Sequence, residues 1–199
     1  MFLASPQSGC IRQGEILSNV VQLLANSSTL QESDGPSFEE RVHPFALVLT
    51  QDCDLDWEFR TRDASTSAAT RELKEVPNIL LCEVFESAKF RPRIKGSDLW
   101  QRITRNQDER FQYIQACGAS QDRLGEGFPV LVADFKRVFT IPVEELYRRL
   151  SLGLQRRAIW VPPFGQDVAN RFSCYFLRVA LPGYEASLAM IAPVPAPPE

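Results

Sequence analysis

The stretch that indicates the fold most clearly is Pro44-Phe-Ala-Leu-Val-Leu-Thr-Gln-Asp-Cys-Asp-Leu-Asp56. In it a dense apolar run is followed directly by polar residues. The apolar part predicts a strand that is buried on both faces. The polar part follows at the exit of that strand, where a rigid scaffold often presents its functional side chains. We therefore expect a binding site at this exit, formed by Thr50, Gln51, Asp52 and Asp54.

Composition narrows the class of protein. The chain has 199 residues, 44% of them hydrophobic and 24% charged, which is typical of one globular domain. A net charge of -3 argues against a protein that coats nucleic acid through its overall field. The five cysteines include no C-x-x-C pair, which favours a reducing compartment. Because no stretch resembles a signal peptide or a membrane span, we expect a cytoplasmic protein without membrane contact.

The remaining patterns predict further strands and two helices. Apolar runs in 76–86, 111–116 and 128–141 read as strands, and the first of them is expected to pair with the strand that ends at Thr50. Pro142 and Pro163 stand where helices begin, and the apolar residues that follow recur every three or four positions.

These elements together predict an α+β fold, namely a small, strongly curved, SH3-like and partly closed β-barrel with two C-terminal helices packed against it. The expected organisation is an N-terminal extension, a single domain, and a Pro-rich flexible tail that cannot form a packed core. Their bounds are 1–11 for the extension, 12–182 for the domain (barrel core 12–141, helical part 142–182) and 183–199 for the tail.

Two resemblances add to this interpretation. Arg12-Gln-Gly-Glu-Ile16 and His43-Pro-Phe-Ala-Leu-Val-Leu49 resemble the opening of PemK/MazF-like proteins, which implies an SH3-like barrel and endoribonuclease activity. In that family cleavage depends on an arginine and a Ser or Thr at the barrel mouth, and Arg41 and Thr50 are the positional candidates here. Separately, Thr50-Gln-Asp-Cys-Asp-Leu55, Arg156-Arg-Ala158 and the stretch from Asn170 to Pro182 are similar to uncharacterised bacterial proteins that share a Gln-x-Cys-Asp-Leu element. This second resemblance implies a shared fold more than an activity.

Metal binding is one hypothesis for the polar cluster. In an extended segment Asp52, Asp54 and Asp56 would share one face and could hold Mg²⁺ or Ca²⁺. The EF-hand pattern fails because Trp57 stands where that loop needs Gly. The alternative is a strand-exit cap, with the carboxylates accepting main-chain N–H groups and Cys53 in the core.

The cysteines and the single histidine suggest a second metal hypothesis. His43, Cys53 and Cys82 could converge on zinc, with Asp52 or Asp54 as a fourth ligand. Cys53 could also act as a nucleophile with His43 as its base. The alternative is that Cys82 is an inert core residue, as free cysteines commonly are, and that His43 lies on the surface.

A basic segment is the main indication of nucleic-acid binding. In an extended chain Lys89, Arg91, Arg93 and Lys95 would project from one side and meet successive phosphates. Arg148, Arg149, Arg156 and Arg157 could enlarge that surface. The alternative is an edge strand that its charges and Pro92 protect from aggregation.

The sequence does not assemble a complete set of catalytic residues, so the preferred function is a non-catalytic binding or regulatory module. An accessory protein of a bacterial defence or toxin–antitoxin system would fit this description. We expect no cofactor and another protein as the partner, with RNA or a second copy of the chain as the other options. The alternatives are a PemK/MazF-like endoribonuclease and a metal-dependent hydrolase.

Overall fold

The computed structural model describes residues 1–26, 37–62 and 65–177. They form one antiparallel sheet of seven strands in the order β1-β7-β2-β3-β4-β6-β5. The strands are β1 (Phe2–Ala4), β2 (Ile16–Ala25), β3 (Phe38–Val48), β4 (Asn78–Glu86), β5 (Phe111–Ile114), β6 (Leu131–Pro142) and β7 (Gln155–Trp160). The helices of this part are α1 (Asp52–Thr61), α2 (Ala68–Lys74), α3 (Ser87–Phe90), α4 (Ser97–Thr104), α5 (Val143–Leu150) and α6 (Phe164–Phe176).

The α+β class is confirmed, but the partly closed barrel is wrong. The sheet stays open, with β1 and β5 as its two edges. Side chains occupy the outer edge of β5: Asn106 accepts a hydrogen bond from the Tyr113 main-chain N–H at 2.6 Å and donates one to the Tyr113 carbonyl at 3.1 Å. Because these main-chain groups already have partners, β5 presents no free ladder with which β1 could close the sheet.

The central strand is buried as the sequence predicts. Ala46 and Val48 face the core that lies against α1 and α5, whereas Leu47 and Leu49 face the core that lies against α6. The antiparallel pairing of β3 with β4 is also confirmed, in the register Val48 opposite Leu81. Both layers of helices are therefore fixed by one doubly buried strand.

The start of the chain belongs to the sheet. Residues 1–11, which we expected to extend from the domain, supply strand β1 and two core side chains, Phe2 and Ile11. Among the described strands, β1 pairs with β7 alone, in the register Phe2 opposite Trp160. The expected tail at 183–199 lies outside the described residues.

The two C-terminal helices begin where the prolines predict. Helix α5 follows Pro142 and buries Val143 and Leu146, with Glu144 and Glu145 in its first turn. Helix α6 follows Pro163 and packs Val168 and Phe172 on the core around Phe135. The end of β7 and the start of α6 are therefore tied to the same core, and this junction shapes the site described next.

Candidate functional site

The polar residues at the exit of β3 mostly bond to the protein itself. The Thr50 hydroxyl accepts a hydrogen bond from the Leu80 main-chain N–H at 2.7 Å. Asp52 accepts one from the Gln13 main-chain N–H at 2.7 Å and pairs with the Arg12 guanidinium at 2.8 Å. Gln51 and Asp54 are exposed at the start of α1. Of the four predicted binding residues, only Asp52 lines one of the two clefts that are described below.

The row of three carboxylates is a wrong prediction, because Asp52 begins a helix and not an extended segment. Residues two apart in a helix point about 200° apart, so Asp54 leaves the side that Asp52 and Asp56 share. Asp56 then pairs with Arg60 at 2.8 Å, one turn further along. No group of three or more His, Cys, Asp or Glu side chains suited to a metal exists among the described residues.

The zinc and Cys–His hypotheses are wrong, because His43, Cys53 and Cys82 each have different partners. The Cys82 thiol is buried and donates to the Asp134 carbonyl at 3.1 Å, and burial raises its pKa far above the usual range. His43 is also buried. Its ring stacks on Phe139, and its Nε2 atom lies in hydrogen-bond contact with Gln22 Oε1 at 3.1 Å. Cys53 is exposed on α1 and contacts neither of them. The surface position considered for His43 is therefore wrong as well, and burial lowers its pKa, although Glu83 opposes that shift.

The two residues suggested by the ribonuclease resemblance are far apart. Arg41 is exposed on the outer half of β3, opposite Gln22, and Thr50 follows the other end of that strand. Nine residues of extended chain span about 30 Å. They do not form the arginine and hydroxyl pair that the resemblance implies.

The basic ribbon is a wrong prediction too. Lys89 lies in helix α3, Arg91 and Arg93 lie in a short 3-10 turn over Arg91–Arg93, and Lys95 follows that turn. Pro92 takes one of the first positions of the turn. Arg91 donates to the Ile94 carbonyl at 2.9 Å, and Lys89 pairs with Glu86 at 2.6 Å. Since the chain is coiled here, the four cations do not share one side at phosphate spacing.

Two adjacent arginines on β7 are interior residues and not part of a basic surface. Arg156 makes a two-pronged ion pair with Glu15, at 2.6 and 2.9 Å, and both side chains are at most 5% exposed. Arg157 pairs in the same way with Asp122, at 2.8 and 2.7 Å. Consecutive residues of a strand face opposite sides of the sheet, so each side receives one buried pair.

The Arg156 pair fixes the loop in front of β2. Arg156 also donates to the carbonyls of Gly9 and Cys10, both at 2.9 Å. Glu15 accepts in turn from the Arg12 main-chain N–H at 3.0 Å. Since Arg12 and its neighbour Gln13 contact Asp52, this pair connects β7 to the exit of β3.

A cleft of about 640 Å³ opens where this loop meets the end of β7 and helix α6. We call it the Arg12 cleft. Its polar lining consists of Arg12, Gln13, Asp52, Gln166 and Asn170, and its other lining residues are Pro6, Ile159, Trp160, Pro162, Gly165 and Ala169. The volume lies within the range of sites that hold a small molecule or a short peptide segment.

Trp160 forms part of the floor of the Arg12 cleft. Its indole is 8% exposed, and its Nε1 atom has no hydrogen-bond partner among the described residues. The same edge of the ring lies against Gly14, where a Cβ atom would come within 3.0 Å of Cδ1. Gly14 has φ +81°, so glycine here permits both the left-handed turn and the close approach. A buried N–H group without a partner is rare and energetically costly in native proteins.

Most of this site was not predicted as a site. Arg12, Gln13 and Asn170 belong only to the stretches that carry the resemblances, and Trp160 belongs to none of the predicted sites. The sequence did contain one indication of the site, namely the segments that carry the resemblances. Three of them contribute residues to this one cleft: 12–16, 50–55 and the segment that begins at Asn170.

Comparison with known proteins gives no further assignment: no family model, no curated protein and no solved structure matches the chain. Among the described residues, no helix combines the length and the apolar character needed to traverse a lipid bilayer.

Proposed function

We propose that the chain is a non-catalytic binding module that receives a segment of another protein in the Arg12 cleft. The observation that carries this proposal is the lining of that cleft, where the exposed side-chain amides of Gln166 and Asn170 lie among apolar side chains. The main chain of a bound segment would supply the hydrogen-bond partners that these two amides lack among the described residues, and the Trp160 ring forms part of the floor beneath it.

The lining of the cleft suits an extended polypeptide. Gln166 and Asn170 are exposed, and neither side chain has a hydrogen-bond partner among the described residues. Side-chain amides both donate and accept, so they can bond main-chain groups of either kind. Pro6, Ile159 and Pro162 provide apolar contact between these polar points. The rim pair of Arg12 and Asp52 adds charges that favour some partner sequences over others.

The chemistry of the described residues supports binding over catalysis. The sequence has one histidine, and its ring nitrogens face Gln22 and Glu83 and no nucleophile. A hydroxyl or thiol nucleophile needs such a base within hydrogen-bond reach. Burial also raises the pKa of the thiols of Cys10 and Cys117, which keeps them in the unreactive protonated form.

The cytoplasm is the compartment that we propose for this module. All five cysteines are free, although several are accessible to oxidants at the surface. Free thiols persist in the reducing cytosol and are commonly paired in oxidising compartments.

Selection of displayed random peptides on the immobilised protein tests the proposal. We expect the selected peptides to share a motif and to lose binding to Ala169→Trp, because the added indole would fill the cleft that Ala169 lines. Ser173→Trp is the matched control, since Ser173 is exposed on the same helix one turn further and does not line the cleft. Failure to select a motif, or a motif that Ala169→Trp still binds, would contradict the proposal.

The ribonuclease and hydrolase alternatives are tested separately. The purified protein is incubated with mixed RNA, with and without EDTA, and we expect the RNA to stay intact in both. Cleavage without metal would favour the ribonuclease, and cleavage that EDTA abolishes would favour the metal-dependent enzyme.

A further inference from the structure

A second cleft, of about 510 Å³, lies on the other side of the start of α6, between that helix and β5. We call it the Arg171 cleft. It shares Trp160 and Asn170 with the Arg12 cleft, but its other lining residues are different. The volume is sufficient for a ligand of several hundred daltons.

Aromatic side chains form part of the wall of the Arg171 cleft. Tyr113 from β5, Trp160 from β7 and Phe164 from α6 all line it. Tyr113 is held by edge-to-face packing on Trp100, with 6.4 Å between ring centroids. Phe164 is 39% exposed, so part of its surface is open to contact. Such walls favour a flat, apolar-faced ligand, because planar rings stack on aromatic side chains.

The electrostatics of the cleft favour an anion. Arg171 donates to the Gln112 side-chain oxygen at 2.8 Å and to the main-chain carbonyls of Asn106, Asp108 and Phe111 at 2.5 to 2.8 Å. None of these acceptors is a carboxylate, so no contact neutralises the guanidinium charge directly. Burial lowers the pKa of Arg171, and the nearby groups Asp108, Cys174 and Glu109 oppose that shift.

Arg171 is rigidly held and keeps one donor. A guanidinium has five N–H groups, and the four contacts leave one on Nη1 without a partner among the described residues. Arg105, which is exposed, adds a second cation to the lining. Asp167 is the one acidic side chain of the lining, so the cations are in excess.

Amide side chains complete the lining. Gln115 and Asn170 are both exposed, and each offers a donor and an acceptor at the mouth of the cleft. Amides in this position can bond the polar edge of a nucleobase, and arginine is well suited to phosphate. Aromatic walls, amides and arginine side chains that are not hydrogen-bonded to carboxylates are a combination that suits unpaired nucleotides.

From this combination we propose that the Arg171 cleft binds a nucleotide unit, either a free mononucleotide or one residue of a single-stranded chain. The base stacks against Phe164 and Tyr113, and the phosphate lies towards Arg105 and the free Nη1 donor of Arg171. This ligand would use a different cleft from the peptide, and the inference does not depend on the proposed function.

Isothermal titration calorimetry with AMP, GMP, CMP and UMP tests the proposal on the full chain. We expect at least one nucleotide to bind, and to bind more tightly than inorganic phosphate or ribose 5-phosphate. A single-stranded RNA of five identical nucleotides, carrying the base that binds best, distinguishes the two forms of the ligand. Tighter binding of this RNA than of the mononucleotide indicates single-stranded RNA, and equal binding indicates a free nucleotide. No binding of any nucleotide, or phosphate binding as tightly as the nucleotides, would overturn the proposal.

Variants separate this cleft from the rest of the surface. Phe164→Ala removes the exposed stacking wall and should weaken nucleotide binding about 5- to 100-fold, the loss typical of one stacked base. Arg105→Ala should weaken it about tenfold and reduce its dependence on salt. Phe38→Ala and Lys136→Ala are matched controls at exposed sites outside the cleft and should bind as the unaltered protein does.

Ala169→Trp distinguishes the two proposals, because Ala169 lines the Arg12 cleft and not the Arg171 cleft. It should abolish peptide binding and leave nucleotide binding intact. Nucleotide binding that Phe164→Ala and Arg105→Ala leave unchanged would place the ligand elsewhere and overturn the inference, whatever the result with peptides.

Discussion

The exits of β3 and β7 carry polar groups in very different states. After β3, Thr50 and Asp52 bond to main-chain N–H groups of Leu80 and Gln13, and those bonds fix the start of α1. At the end of β7, the Trp160 N–H has no partner among the described residues, and Asn170 of α6 lines two clefts. The exit that is rich in carboxylates is thus mainly an anchor, whereas the exit rich in proline and aromatic residues borders both clefts.

This difference teaches that the density of polar residues is a poor guide to function when taken without their partners. A polar group that the fold already satisfies contributes to stability, and an exposed one that the fold leaves unpaired is available to a ligand. The following substitutions test this distinction, from the largest expected effect to the smallest.

Arg156→Met should have the largest effect, because it leaves the buried Glu15 carboxylate unpaired and frees the loop that joins the two exits. We expect a loss of about 3–5 kcal/mol in the free energy of unfolding, measured by urea denaturation. Arg60→Met, which breaks an exposed pair with Asp56, is the control and should cost far less. Equal losses in the two variants would contradict the role given to the buried pair.

Asp122→Asn should destabilise the protein by about 2–4 kcal/mol at neutral pH, since the Arg157 charge stays buried without its carboxylate. Burial raises the pKa of Asp122, but the hydrogen bonds and charge of Arg157 outweigh it and hold the pKa below the ordinary 3.8. The stability that this carboxylate adds is therefore present above pH 3.8 and is lost as the pH falls below it. Denaturation curves of the two proteins should converge on acidification, and a constant gap would refute this explanation.

Gly14→Ala tests the contact beneath the Arg12 cleft. Its φ of +81° and the 3.0 Å approach to Trp160 predict a loss of about 1–3 kcal/mol and weaker peptide binding. Gly125→Ala is matched, because Gly125 has φ +71° but no atom near the added Cβ. Gly125→Ala should lose only the free energy of unfolding that comes from placing a Cβ atom at positive φ, and its peptide binding should be unchanged. If both variants bind peptide equally, the Trp160 floor does not form the site.

Thr50→Val removes the acceptor of the Leu80 N–H while keeping the shape of the side chain. We expect a loss of about 1 kcal/mol in thermal or chemical denaturation, with peptide binding unaffected. A large loss of peptide binding at constant stability would show that the β3 exit takes part in recognition after all.

Asp52→Asn should have the smallest effect on stability. The amide oxygen can still accept from the Gln13 N–H, and only the ionic part of the contact with Arg12 is lost. Both side chains of this ion pair are more than 40% exposed, so the change should stay within about 0.5 kcal/mol in urea denaturation. A cost above 2 kcal/mol would show that the β3 exit depends on this charge.

Local patterns in the sequence predicted the individual elements better than their arrangement. The doubly apolar run at 45–49, the strand at 76–86 and the charge order of the helix after Pro142 each determine a local conformation. The start of α1 was misread because three aspartates alternate with other residues, although Leu55, Glu58 and Thr61 are buried at helical spacing. Only one of those three is apolar, so the helical pattern was hidden.

The open sheet and the clefts depend on information that no local pattern contains. β7 enters the sheet between β1 and β2, which brings Trp160 beside the loop at residues 12–14. Side chains from residues 12, 52, 160 and 170 then share one cleft. Seeing this from the sequence would require pairing Glu15 with Arg156 across most of the chain, and several other acids could have been chosen with equal reason.

The position of β7 also determines when the sheet can be completed while the chain is being synthesised. In the part of the chain that the structure describes, β1 has no strand partner but β7, and Glu15 stays without the Arg156 guanidinium until residue 156 emerges. Ribosome-bound chains that stop before residue 155 therefore expose an unpaired N-terminal segment with its apolar residues. Because such distant pairing is slow, this segment stays open to aggregation until β7 is available.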